Sequence, residues 1–108
     1  MQERLGGDVK KTINGTRYDT EKACLIGDYY TRRLATDDSR FWKAALYKTK
    51  RSGKYFLFGQ GNAMTRFAAH AGGWGERIIP MSTQEALEWA KQYLDAEVVR
   101  QHFKELEP

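Results

Sequence analysis

The fold is decided by two runs, FWKAALYKT (Phe41–Thr49) and KYFLF (Lys54–Phe58), joined by Lys50-Arg51-Ser52-Gly53. Both runs are rich in aromatic and strand-favouring residues. A four-residue connection closing on glycine suits a hairpin, because glycine takes the left-handed position such turns require. Side chains alternate along a strand, so Trp42, Ala44 and Leu46 share one face while Lys43, Ala45, Tyr47 and Thr49 share the other. The first set reads as core and the second as a mixed basic and aromatic face. Trp42, Phe56 and Phe58 are expected in the core rather than as stacking platforms.

Working outward, Asn14-Gly15 sits between the β-formers Thr12-Ile13 and Thr16-Arg17-Tyr18, the signature of a two-residue hairpin turn. Asp19 to Lys22 reads as a turn or the cap of a short helical piece, Ala23 to Thr31 as a strand, and Arg32 to Ser39 as a loop. Beyond the central hairpin, Met64 to His70 is expected to form a short helix with Met64, Phe67 and Ala68 on one side. Glu76 to Pro80 reads as a short strand whose proline puts it at a sheet edge or leads the chain out. Ser82-Thr83-Gln84-Glu85 is a capping box, and Ala86, Leu87, Ala90, Tyr93 and Leu94 recur at helical spacing, with Trp89 flanking them. Asp95 is placed to cap a second helix carrying Val99, Phe103 and Leu106. The expected architecture is α+β: a small antiparallel β-sheet of hairpins with C-terminal helices packed on one face. Residues 1–9 are expected to be a flexible N-terminal tail, and residues 10–108 a single α+β domain.

The chain has 108 residues, 41% of them hydrophobic, enough for one core. No apolar run reaches the roughly 18 residues of a membrane span, and the N-terminal residues lack the apolar stretch of a secretory signal. A cytoplasmic location without membrane contact is expected. A single cysteine, Cys24, excludes a disulfide framework, and two histidines, His70 and His102, supply a metal centre poorly. The charge is unevenly spread. Basic and acidic residues balance at seven each through Asp38, and from Ser39 to Gly75 there are seven basic residues and no acid. Beyond Gly75, seven acids face four bases. An acid-free middle is a surface for phosphates or acidic partners.

Catalytic constellations are poorly supported. Gly59-Gln60-Gly61 opens like a dinucleotide fingerprint, but Met64 stands where the third glycine belongs, so the segment reads as a strand-to-helix turn. Cys24 adjoins Leu25 and Ile26, where a buried and inert thiol is expected. Asp37-Asp38 reads as a solvated loop. The chain is therefore expected to be non-enzymatic, with no cofactor and no metal. The interaction surface is instead assigned to the hairpin: Lys43, Tyr47, Lys48, Lys50, Arg51, Lys54 and Tyr55, with Arg66 beyond it. A basic finger with aromatic shoulders can follow a phosphate backbone and stack bases.

INGTRYDTEKA (13–23), ALYKTKRSGKYFLFGQGNAMTRFA (45–68) and WGERIIPMSTQEALEWAKQYL (74–94) resemble, in the same order, a family of small uncharacterised bacterial proteins. Its members open on INGKxYDTETA, carry a TLYRTKKGxYFLYGEGG hairpin and end on GEKIIPLSxxEAxEWAE. Gln60 stands where the family's turn carries an acid, and Lys50 to Gly53 is one residue longer than the family's connection. Such sequences resemble cargo of plasmids, conjugative elements and phages. The resemblance implies a mobile-element interaction protein, an anti-CRISPR-like inhibitor of host defence that binds a host protein or nucleoprotein complex; it supplies no site residues. The alternative is a small basic nucleic-acid-binding accessory module that contacts DNA or RNA directly through the 41–58 hairpin. A homodimer is compatible with either.

Overall fold

The computed structural model describes residues 9–103. Two strands come first, β1 (Lys10–Ile13) and β2 (Thr16–Asp19), paired antiparallel across Asn14-Gly15. Both turn residues have positive φ, 51° and 80°, as the sequence requires. A four-stranded antiparallel meander follows, in the order β3 (Cys24–Tyr30), β4 (Trp42–Lys48), β5 (Tyr55–Gly61) and β6 (Gly75–Met81). Two helices, α1 (Thr83–Tyr93) and α2 (Ala96–Phe103), complete the α+β fold.

Every residue of β5 is buried, because the strand lies between β4 and β6 and both of its faces are covered. On one face Tyr55 and Leu57 join Ala44, Leu46, Ile26 and Phe67 against Ala86, Leu87, Trp89, Ala90, Val99 and Phe103 of the helices. On the other, Phe56 and Phe58 pack with Ile78 against Tyr18, with Val9, Ile13, Ala23 and Tyr47 around them. The helices thus occupy one face of the sheet, as expected, and the face expected to be mixed and basic is largely roofed by the β1–β2 hairpin. The Tyr18 ring meets Phe56 edge-on at 5.1 Å.

The helix signals hold in detail. Ser82 Oγ accepts from the Glu85 N–H at 3.0 Å and the Glu85 carboxylate accepts from the Ser82 N–H at 2.8 Å, a complete capping box. Trp89 is buried with the apolar stripe rather than beside it. Helix α2 begins after Asp95, whose carbonyl accepts from the Val99 N–H. Pro80 lies in β6, an outer strand of the sheet, where a missing N–H is tolerated.

Four expectations are corrected or bounded. First, Met64 to His70 is a series of turns, not a helix. Thr65 Oγ1 donates to the Asn62 carbonyl, and the Ala69 N–H reaches the Gly73 carbonyl across Gly72 and Gly73, both at positive φ. What these turns achieve is to drop the Phe67 ring onto Gly59, where any Cβ would overlap it. Second, Gly59-Gln60-Gly61 is not a turn but the end of β5, paired with Ala44, Lys43 and Trp42. Third, Cys24 is exposed rather than buried: it opens β3, an edge strand, and only Ile26 of its neighbours points into the core. Fourth, Val9 is no tail residue, since its N–H and C=O bond Thr20; residues 1–8 and Leu106 lie outside the described part.

The Gly59–Phe67 contact makes a quantitative prediction. Phe67→Ala is expected to cost about 3–5 kcal/mol, and Gly59→Ala to destabilise the wild type through the clash. In the Phe67→Ala background the Gly59→Ala cost shrinks, a coupling of about 1–2 kcal/mol in a urea-denaturation double-mutant cycle. Additive costs contradict the contact.

Candidate nucleic-acid interface

The tip of the β4–β5 hairpin is held by hydroxyls. Thr49 Oγ1 accepts from the Lys54 N–H at 2.8 Å and lies 2.6 Å from Ser52 Oγ, while Gly53 turns the chain at φ 66°. This staple holds the turn that presents Lys50 and Arg51 to solvent. Lys54 Nζ donates to Thr16 Oγ1 at 3.1 Å, so the central hairpin is tied to the first one.

Between the two hairpins runs a groove of about 820 Å³. Arg17 and Lys22 line it from one side, Lys50, Arg51 and Ser52 from the other, with Asp19 and Glu21 among them. Four cations thus face two carboxylates, and all four cationic side chains are exposed. Of the eight residues assigned from sequence, Lys50 and Arg51 line this groove and Lys54 braces it. The other five lie elsewhere, and strand alternation explains most of the scatter.

Lys48 projects on the helix side, with its Nζ 5.4 Å from the centre of the Tyr55 ring. Tyr55 is 5% exposed and stacks on Phe103 at 5.3 Å, so it is core and not a shoulder of the tip. Tyr47 projects on the opposite face and stacks on Phe56 at 5.2 Å. Lys43 belongs to the far end of the sheet, in a cross-strand row with Tyr30, Gln60 and Glu76, where Gln60 Nε2 donates to Glu76 at 3.0 Å. Arg66 is exposed, its guanidinium 6.0 Å from the centre of the Phe67 ring, beside Glu85 and Glu88 of α1.

Arg40 is also accounted for. Its guanidinium and its N–H all bond Asp38, and these hydrogen bonds hold the Asp38 carboxyl down at about 2. The carboxyl therefore stays charged down to a pH near its own depressed value. Any stability the pair contributes is fully present above the ordinary aspartate value of 3.8 and is lost progressively as pH falls from there through about 2.

Two features were missed by the sequence reading. Arg17 and Lys22 come from the charge-balanced N-terminal part, and nothing in their spacing announces the docking of that hairpin. At the far end of the sheet, Tyr30 and Trp74 are 48% and 45% exposed, on either side of buried Phe41, with Arg32 5.4 Å from the Tyr30 ring. Trp74 had one available signal, a large aromatic set among Gly72, Gly73 and Gly75. Among the described residues, no group of three or more His, Cys, Asp or Glu is arranged to hold a metal ion. No described helix is long and apolar enough to cross a membrane. Compared with known families, curated proteins and solved structures, the chain finds no match in any of the three.

The tip staple is directly testable. Thr49→Val removes the acceptor of the Lys54 N–H and the partner of Ser52, at about 1 kcal/mol of local stability. Amide exchange at Gly53 and Lys54 is expected to quicken while global melting barely moves. Unchanged exchange contradicts the staple.

Proposed function

We propose that this chain is a non-enzymatic, cytoplasmic binding module whose inter-hairpin groove takes the backbone of a single-stranded nucleic acid. The observation that carries the reading is the convergence of Arg17 of β2 and Lys22 of the turn after it with Lys50 and Arg51 of the central hairpin tip on one concave surface. Cations on both walls of a groove suit a strand running between them, since phosphate contacts supply affinity largely independent of sequence. Lys54 contributes by fixing the distance between the walls through Thr16.

A salt titration tests this. Each phosphate neutralised on a single strand contributes about 0.7 to the slope of log affinity against log salt. Lys50→Ala with Arg51→Ala is expected to lower that slope by about 1.4, on the same rule, whereas Lys48→Ala and Arg66→Ala leave it unchanged. Salt-insensitive binding, or equal effects of all four substitutions, rejects the groove.

The Trp74 end favours a second reading, that of a mobile-element protein inhibiting host defence by occluding a nucleic-acid-handling protein. Exposed Trp, Tyr, Met and Arg are the types that dominate protein interfaces, and Trp74, Tyr30, Met64 and Arg32 are all exposed. This reading expects a host protein captured from a bacterial lysate to persist after nuclease treatment and to be lost with Trp74→Ala. Capture that vanishes with nuclease rejects it.

A further inference from the structure

Within the groove two carboxylates do not belong to a phosphate grip, exposed Glu21 and buried Asp19, and the second is the one that solvent cannot satisfy. Asp19 closes β2, is 5% exposed and lines the groove among the four cations. Its Oδ1 accepts the Glu21 N–H at 3.0 Å, which shapes the turn after the strand. Its Oδ2 is buried without any hydrogen-bond partner, although Arg17, Lys22, Lys50 and Arg51 line the same groove. Among the described residues it is the one buried side-chain polar atom left in this state. A buried acceptor without a donor is costly and calls for an explanation.

A backbone phosphodiester alone cannot supply one. An anionic oxygen brings no proton to Oδ2 and would repel the carboxylate. A ligand that satisfies both the cations and Asp19 must carry phosphate and a hydrogen-bond donor together, which is the make-up of a nucleotide with an unpaired base. Strand periodicity puts Asp19 on the same side of β2 as Arg17, which lines the groove beside it. Asp19 stands at the strand end, where buried Thr20 is held to Val9 while Glu21 and Lys22 are exposed, so contact with its Oδ2 requires the exposed residues of the groove to move aside.

The geometry points to Asp19 as a base-reading residue, accepting the donor edge of an unpaired guanine whose flanking phosphates lie on the groove cations. Guanine is the base that offers two adjacent donors, N1–H and the N2 amino group, and a carboxylate has lone pairs for both even with Oδ1 engaged. Cytosine and adenine present one amino group beside an acceptor. Thymine and uracil present an N3–H between two carbonyls, which face a carboxylate unfavourably. Unpaired bases are read in this way on their Watson–Crick edges. The inference rests on the groove reading and adds to it a sequence preference that a simple phosphate grip lacks.

The experiment measures fluorescence anisotropy of short labelled oligothymidylate carrying one central guanine, hypoxanthine, cytosine or thymine. The uridylate RNA series and competition by GMP run in parallel. The wild type is expected to bind the guanine oligomer about tenfold more tightly than the all-thymine one, the scale of a good bidentate contact. Hypoxanthine, lacking the N2 amino group, falls between. Asp19→Asn keeps an oxygen to accept the Glu21 N–H, and it is expected to bring the guanine-to-thymine affinity ratio down to about one. Asp19→Ser serves if the asparagine variant melts early.

Effective GMP competition marks a free guanine nucleotide as the source. Its failure, with DNA or RNA bound more tightly, marks a strand. If all oligomers bind equally with steep salt dependence, the base-reading role is overturned and the groove stands. A guanine preference that survives Asp19→Asn also overturns it. If no oligomer binds at low salt, both fall.

Discussion

The structure depends on burying both faces of β5. Tyr55 and Leu57 point one way and Phe56 and Phe58 the other, all four 5% exposed or less. Each such side chain is worth about 1.5–3 kcal/mol when removed from water, so neither face can be left open. The helices cover one face. The other is covered only because the short N-terminal hairpin lies across it, anchored by Tyr18 on Phe56. A two-stranded hairpin of this length is marginal alone in water, and here the aromatic pair beneath it supplies the reason to fold. The groove is a by-product of that burial: with Tyr18 turned in, its neighbour Arg17 is turned out, next to the tip of the β4–β5 hairpin.

Local signals in the sequence carried most of the fold. Asn14-Gly15, the Lys50–Gly53 connection, Pro80 at the sheet edge and the Ser82–Glu85 capping box each act within a few residues, so spacing alone reveals them. The α1 stripe was legible for the same reason. The roof over Phe56 and Phe58 was not, because it depends on contacts between Tyr18 and residues about forty positions away. Cys24 misled because its apolar neighbours suggested a buried strand, whereas β3 is an edge strand with a register shift between Leu25 and Gly27.

The stretch from Met64 to His70 shows how a tertiary contact overrides a local pattern. Its composition is compatible with a helix, but the segment forms turns that set Phe67 against Gly59. The sheet has a gap at Gly59 and Gly61, where side chains are missing from the helix-facing side of β5. Phe67 covers Gly59, Thr65 covers Gly61, and the glycines at 72, 73 and 75 let the chain return to β6. The same glycines that suggested a nucleotide-binding turn are therefore packing positions, which is why the pattern failed as a motif.

The candidate site was half legible, and the reason is geometric. Seven bases between Ser39 and Gly75 look like one surface when counted along the chain. Alternation sends Lys43 and Lys48 to opposite faces, Asp38 engages Arg40 from just outside the acid-free stretch, and Arg66 sits beside α1 carboxylates. What is left at the tip gains its partners from a segment whose net charge is zero. A charge count locates the tip but not the opposite wall of the groove, and it gives no hint of the buried acid between them. The base preference proposed for Asp19 rests on the buried one of the two residues there whose sign opposes the surrounding field, Glu21 being exposed. A purely basic groove would hold any polyanion; a carboxylate set among its cations penalises every ligand that brings no donor.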